Sequence, residues 1–228
     1  MNLSHSNRGK NLCLGWLLAG ILTAAAVAAE SAPPRLFKTA QFGGETASPA
    51  VLSIANWAVD SNNNGHLPFI ILDKQQAKVF VFYADGKLRG AAPALLGLAL
   101  GDHSVPGIGD RKLSAIRPFE RTTPAGRFVA ALDHNLHGHE ILWVDYDLAI
   151  SLHPVVPGTT QERRAQRLVS PTPLDNRISY GCINVPPDFF KDIVSTTFAG
   201  TNGIVYVLPE TVSASIFFGA YDVNNSPQ

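Results

Sequence analysis

The chain has 228 residues, 46% hydrophobic and 16% charged, with 18 basic side chains against 18 acidic. Such a composition is globular, and it excludes a disordered chain, a fibrous repeat and a nucleic-acid binder held by a basic face. Two cysteines exclude a disulfide-stapled scaffold and a Cys-rich zinc module, while 19 Gly and 16 Pro suit strands and turns better than a helical bundle.

Residues 1–29 read as a secretory signal. Arg8 and Lys10 form a basic start, Leu12 to Leu22 an apolar run, and Ala26-Val27-Ala28 a small-residue cleavage pattern. The alternative is an uncleaved anchor, because the stretch from Leu12 to Ala29 is just long enough to span a bilayer. The pattern predicts an exported protein of the periplasm or cell wall, with any membrane contact confined to this segment. Cys13 departs with the signal, which leaves Cys182 as the lone thiol. It is then either a buried inert cysteine or a nucleophile.

Residues 30–65 are rich in Ser, Pro, Ala, Gly and Asn, and read as a lead-in with a short helix near Val51 to Val59. From residue 66 to 210 the pattern is that of one domain. Pro68 to Leu72 and Ala77 to Tyr83 are apolar runs, followed by the hairpin pair Asp85-Gly86 and another apolar segment from Leu88 to Leu100. The turn Thr123-Pro124-Ala125-Gly126 feeds a run to Leu132. From Leu142 to Leu152 every even position is apolar, the period of a half-buried strand. That length predicts a bulge or break near Asp145 to Asp147. His153 ends the run on the face opposite Leu152. A connection of about 24 residues then runs from Pro154 to Arg177, with a short helix expected within Thr160 to Leu168. Connections this long in a compact domain are functional or disordered. Ile178 to Val185, a helix from Asp188 to Phe198 and a strand from Gly203 to Leu208 follow, and 211–228 is a tail.

Ser179-Tyr180-Gly181-Cys182-Ile183-Asn184 carries the chemistry. A glycine beside a cysteine permits a tight turn whose amides converge on one spot. A thiol there can attack a carbonyl while amides hold the oxyanion. The thiol, with an ordinary pKa of about 8.5, needs a basic or cationic neighbour. His153, 29 residues upstream, fits that need, and the order His before Cys is opposite to the papain-like one.

These residues resemble the L,D-transpeptidase (YkuD-type) catalytic domains of bacterial cell-wall enzymes. That family's signature is a His at a strand end, a variable loop, and Ser/Thr-His-Gly-Cys followed by a hydrophobic residue and Arg or Asn. Thr123-Pro124-Ala125-Gly126-Arg127-Phe128 is similar to the family's Thr-Pro-x-Gly-x-Phe turn. Two positions depart from the pattern: Tyr180 stands in place of the second His, and Pro154 replaces the usual Gly after His153. The resemblance implies a mainly β fold, an antiparallel sheet or β-sandwich of the L,D-transpeptidase type with short helices.

It further implies a Cys182 nucleophile, a His153 base oriented by a backbone carbonyl, and Gly181 and Cys182 amides as the oxyanion hole. Ser179 and Tyr180 complete the catalytic turn, and Asn184, Arg177 and Thr123 meet the substrate. No metal or cofactor is implied. The implied partners are peptidoglycan stem peptides, with a second stem, a lipoprotein lysine, a free D-amino acid or water as acceptor. The alternatives are a peptidoglycan hydrolase, either an L,D-carboxypeptidase or an amidase, using the same cysteine, and a catalytically silent wall-binding domain.

His134, His137 and His139, beside Asp133 and Glu140, lack standard zinc spacing and read as a solvated inter-strand loop. Arg163, Arg164 and Arg167 read as the solvated face of a short helix, or as a grip on an acidic stem.

Overall fold

A computed structural model describes residues 35–223. The expected signal, 1–29, lies outside them. The first helix, α1 (Pro49–Asp60), starts where the sequence supplies a cap: the Ser48 hydroxyl accepts the Val51 N–H, and Pro49 fills the first turn. Val51, Ile54, Ala55 and Ala58 recur at helical spacing and are fully buried. The 30–65 stretch, expected to be a lead-in, thus contributes a three-turn helix to the core.

Strands β1 (Phe69–Asp73), β2 (Lys78–Phe82) and β3 (Leu88–Pro93) form two successive antiparallel pairs. The second is closed by the Asp85-Gly86 turn, where the Gly86 N–H reaches the Tyr83 carbonyl. A two-residue strand, β4 (Leu96–Gly97), follows. β5 (Gly126–His134), β6 (Glu140–Asp145) and β7 (Ile150–Pro154) run as a meander. Helix α2 (Arg164–Leu168) interrupts the long connection, and β8 (Arg177–Ser179) and β9 (Ile183–Val185) flank the cysteine turn. The helix α3, residues 187–198, opens as an α-helix, widens to a π-helix over Phe190–Ser195 and closes as an α-helix. Strand β10 (Gly203–Val207) and helix α4 (Ala214–Phe218) complete the described chain.

Eight strands form one sheet in the order β3-β2-β1-β10-β5-β6-β7-β9. The protein is mainly β with short helices, as the sequence implies. The sheet is mixed rather than wholly antiparallel, because β1–β10 and β7–β9 are parallel pairs, each joined through a long crossover. Central β1 and β10 are buried on both faces. Ile70, Leu72, Val205 and Val207 point into one core, and Phe69, Ile71, Ile204 and Tyr206 into the other, under α1. This explains why both read as continuous apolar runs instead of alternating ones. The sheet curls until its edges almost meet. Leu95, just past β3, exchanges two backbone hydrogen bonds with Asn184 of β9, at 2.8 and 2.9 Å.

The long alternating run from Leu142 to Leu152 is the β6–β7 hairpin. Its turn falls where the break was expected. The Asp145 carboxylate accepts the Leu148 N–H, and Ala149 takes a left-handed conformation at φ 51°. Four residues occupy the turn, an even number, so Leu142, Val144, Ile150 and Leu152 all keep facing one core. No helix among the described residues is long and apolar enough to cross a membrane.

Candidate active site

Strand alternation builds the site. Ile150 and Leu152 of β7 enter the core, so Ser151 and His153 project from the opposite face. On β9, Ile183 and Val185 enter the core, and Asn184 projects to that same opposite side. Parallel pairing sets His153 level with Asn184. Cys182, one residue before β9, therefore lies near the start of β7. Its sulfur accepts from the Ser151 hydroxyl at 3.6 Å and donates to the Ala149 carbonyl at 3.6 Å.

The imidazole of His153 and the Cys182 thiol are electrostatically coupled, each shifting the other. The His153 Nδ1 lies 2.8 Å from the Pro154 carbonyl. A carbonyl only accepts, so Nδ1 carries a proton and Nε2 keeps its lone pair, which faces Asn184 Nδ2 at 3.1 Å. The two groups shift in opposite directions. Burial pushes the Cys182 thiol up, but hydrogen bonds and charge from His153, with the Ser151 hydroxyl and amide, bring it below an ordinary thiol. Burial pushes His153 down, but Cys182 and the Pro154 carbonyl outweigh it, against opposition from Arg164, and raise it. Both shifts favour a thiolate facing an imidazolium.

The turn holding Cys182 is stapled from within and from outside. The Ser179 hydroxyl donates to the Cys182 carbonyl at 2.6 Å and accepts the Gly181 N–H at 3.1 Å. Gly181 has φ +135°, and a Cβ there would sit 2.8 Å from Ile150 Cδ1 and 2.9 Å from the Thr122 carbonyl oxygen. Only glycine fits. The Gly181 amide is spent on Ser179, which leaves Cys182 as the member of the expected oxyanion pair that Ser179 does not take.

The three residues expected at the substrate are all buried; Asn184 spends its amide on His153 and Arg164, and the other two are structural in position. Thr123 is fully buried, its hydroxyl donating to the Gly181 carbonyl at 2.8 Å and accepting the Gly97 N–H at 2.9 Å. Gly97 lets the two segments approach, since a Cβ there would lie 2.7 Å from the Thr123 nitrogen. Arg177 is buried too. Its guanidinium reaches Glu210 at 2.6 Å and the Lys74 carbonyl at 2.9 Å, so it is not extended toward a substrate carboxylate. Beneath it Lys74, wholly enclosed, donates to Asp102 and the Gly101 carbonyl, both at 2.7 Å, and to the Thr123 carbonyl at 3.1 Å. This buried quartet of Lys74, Asp102, Arg177 and Glu210 underpins the cysteine turn through Thr123.

Tyr180 lies under the Arg121 guanidinium, 3.9 Å from ring centroid to carbon, so a cation sits on its face although the phenol itself carries none. His137 and His139 sit at the tip of the β5–β6 hairpin, where the Asn135 side chain accepts both of their amides. Among the described residues no group of three His, Cys, Asp or Glu side chains is arranged to hold a metal.

Of the three arginines expected on a solvated helix face, Arg164 is not solvated. Its side chain is 13% exposed, paired with Glu162 at 2.9 Å and with Asn184 Oδ1 at 3.2 Å. Sequence reading passed over Ser151, the Ala149 carbonyl, Lys74, Asp102 and Glu210. Ser151 was within reach, because it lies two residues before His153 on one strand face. The others meet the site only through long-range packing.

No known family profile matches the chain, and no curated protein matches it in sequence. Solved structures do. The NMR structure of the L,D-transpeptidase catalytic domain from E. faecium shares 17% identity over 62% of this chain and 96% of that one, at a TM-score of 0.34. The helical cell shape determining protein Pgp2 from Campylobacter jejuni shares 15% identity over 66% of this chain, at a TM-score of 0.40. The match spans 51% of the Pgp2 chain.

Proposed function

We propose that this protein is an exported cysteine acyltransferase of the L,D-transpeptidase kind, acting on peptidoglycan tetrapeptide stems. The observation that carries the proposal is the coupled pair: a half-buried Cys182 electrostatically coupled to His153, whose Nδ1 is anchored on the Pro154 carbonyl.

His153 Nε2 takes the thiol proton, and the thiolate attacks the carbonyl of the diamino-acid residue at stem position three. The Cys182 amide steadies the oxyanion. When the tetrahedral intermediate collapses, the C–N bond to the terminal D-alanine breaks, and His153 returns its proton to the departing amine. An acceptor amine then attacks the thioester and gives its proton to His153, which passes it to the sulfur as the thiol leaves. Ser179, Gly181 and Thr123 keep the turn in place, while Tyr180 and Arg121 flank the entry of the stem. Residues 1–29 would deliver the domain to the wall.

The test is acylation by a carbapenem, followed by intact mass. The expected result is one adduct on the folded protein, lost in Cys182→Ala. Absence of the adduct, or its survival in Cys182→Ala, refutes the mechanism. Chromatography of digested muropeptides then separates the outcomes, with cross-linked dimers expected here and trimmed monomers indicating a hydrolase.

A further inference from the structure

The connection from β7 to β8 forms a strap beside the site, and it meets Asn184 through the side chain of Arg164. Three contacts run in series. Arg164 Nη1 lies 3.2 Å from Asn184 Oδ1, Asn184 Nδ2 lies 3.1 Å from His153 Nε2, and His153 Nδ1 lies 2.8 Å from the Pro154 carbonyl. The polarity of this chain is forced from both ends. A guanidinium has donors only, so it takes the oxygen of the Asn184 amide and turns the NH2 group toward His153. An NH2 group facing Nε2 requires a lone pair there. A carbonyl facing Nδ1 requires a proton there. Both requirements are met by one species, the neutral Nδ1–H imidazole.

The Nε2 lone pair thereby faces the Asn184 amide, and the ring is coupled electrostatically to Cys182. Once Nε2 is protonated, an amide NH2 pointing at it is repulsive, and the favourable partner is the amide oxygen, which Arg164 holds. Arg164 is itself fixed by Glu162, whose carboxylate also accepts the Thr159 N–H at 3.2 Å. The charged and titratable groups around the ring are Cys182 from the β8–β9 turn and Arg164 from α2, with Glu162 behind it. Asn184 of β9 and the Pro154 carbonyl are neutral.

We propose that Arg164 is a positioning residue for the Cys182–His153 pair. By fixing the polarity of the Asn184 amide it holds His153 as the neutral Nδ1–H tautomer, and its departure lets the amide turn and accept the Nε2–H that forms when the S–H bond breaks. The strap thus sets how readily the pair ionises. The inference rests on the reading of Cys182 and His153 as nucleophile and base.

The experiment is 15N NMR of the full chain with labelled histidine, in a Cys182→Ala background so that the imidazole titrates alone. His153 is assigned by its loss in His153→Gln. Above its titration the ring should show the Nδ1–H tautomer. Arg164→Met should raise its midpoint by about one pH unit, roughly tenfold in proton affinity, and Arg164→Lys should restore the original value. Asn184→Ala should raise the midpoint as well, with the Arg164 charge still present.

An Nε2–H tautomer, or a midpoint unmoved or lowered in Arg164→Met or Asn184→Ala, overturns the proposal. The tautomer readout on the Arg164-containing protein needs no variant of the strap to fold. None of these readings needs a substrate. The expected spectra with no carbapenem adduct on Cys182 would refute the acyltransferase alone, and an adduct with the wrong tautomer would refute the positioning role alone.

Discussion

Lys74→Met is the perturbation whose size the structure fixes most directly. The Lys74 side chain is wholly enclosed, and its ammonium holds Asp102 at 2.7 Å, lies 3.6 Å from Glu210, and donates to the carbonyls of Gly101 and Thr123. Methionine fills nearly the same volume, so little cavity is created, and the loss is electrostatic. Two enclosed carboxylates would then face only the Arg177 guanidinium. Asp102 would keep the amides of Glu210 and Thr211 and the Thr211 hydroxyl, so it would stay ionised and lack a counter-charge. Removing one partner of a buried ion pair costs about 3–5 kcal/mol, a fall in Tm of about 6–20 °C for a domain of this size. Guanidinium chloride unfolding measures it as a lower midpoint at unchanged slope. Adding Asp102→Asn, which removes the stranded charge and retains an acceptor, should recover about 1–3 kcal/mol. A loss below about 1 kcal/mol in Lys74→Met, or no recovery in the double variant, would show that the quartet does not carry the load argued for it.

Gly181→Ala forces a side chain onto φ +135° against Ile150 and the Thr122 carbonyl. The expected cost is about 1–3 kcal/mol of stability, with loss of Cys182 alkylation by iodoacetamide in the folded protein. Wild-type alkylation should reach half its maximum below the ordinary thiol value of about 8.5, because His153 lowers Cys182; His153→Ala should move the midpoint upward. Burial raises Asp102, but Lys74 and Thr211 outweigh it and hold its carboxyl well below the usual range. Its contribution is therefore complete above the unfolded carboxylate value, about 3.9, and is lost as pH falls through the lower folded one. Acid unfolding followed by circular dichroism should be less steep in Asp102→Asn.

The strands were legible because their burial is periodic and local. The alternation at Leu142, Val144, Ile150 and Leu152 showed the face, and the length of the run pointed to a bulge or break near Asp145 to Asp147; that one run is two strands follows from hairpin pairing, which alternation of unchanged parity conceals. The continuous apolar runs of β1 and β10 were read only as strands; their burial on both faces and the parallel pairing between them come from the fold. At the site, Cys182 and His153 were read as a pair from their residue types and chain order, and in the fold they are coupled electrostatically. Arg177 and Thr123 were read as exposed because polar residues beside a reactive turn face substrate as readily as they face the interior.

By itself, then, the sequence determined where the chain extends, where it turns, and which glycine and which thiol share one tight bend. Tertiary structure alone decided the partners of the polar groups. Lys74 finds Asp102, Arg177 finds Glu210, Thr123 finds Gly181, and Arg164 reaches Asn184 across the strap. The physical reason is range. Burial periodicity is written within a few neighbouring residues, whereas a buried charge or hydroxyl is satisfied by whichever group the folded sheet sets beside it, tens of residues away.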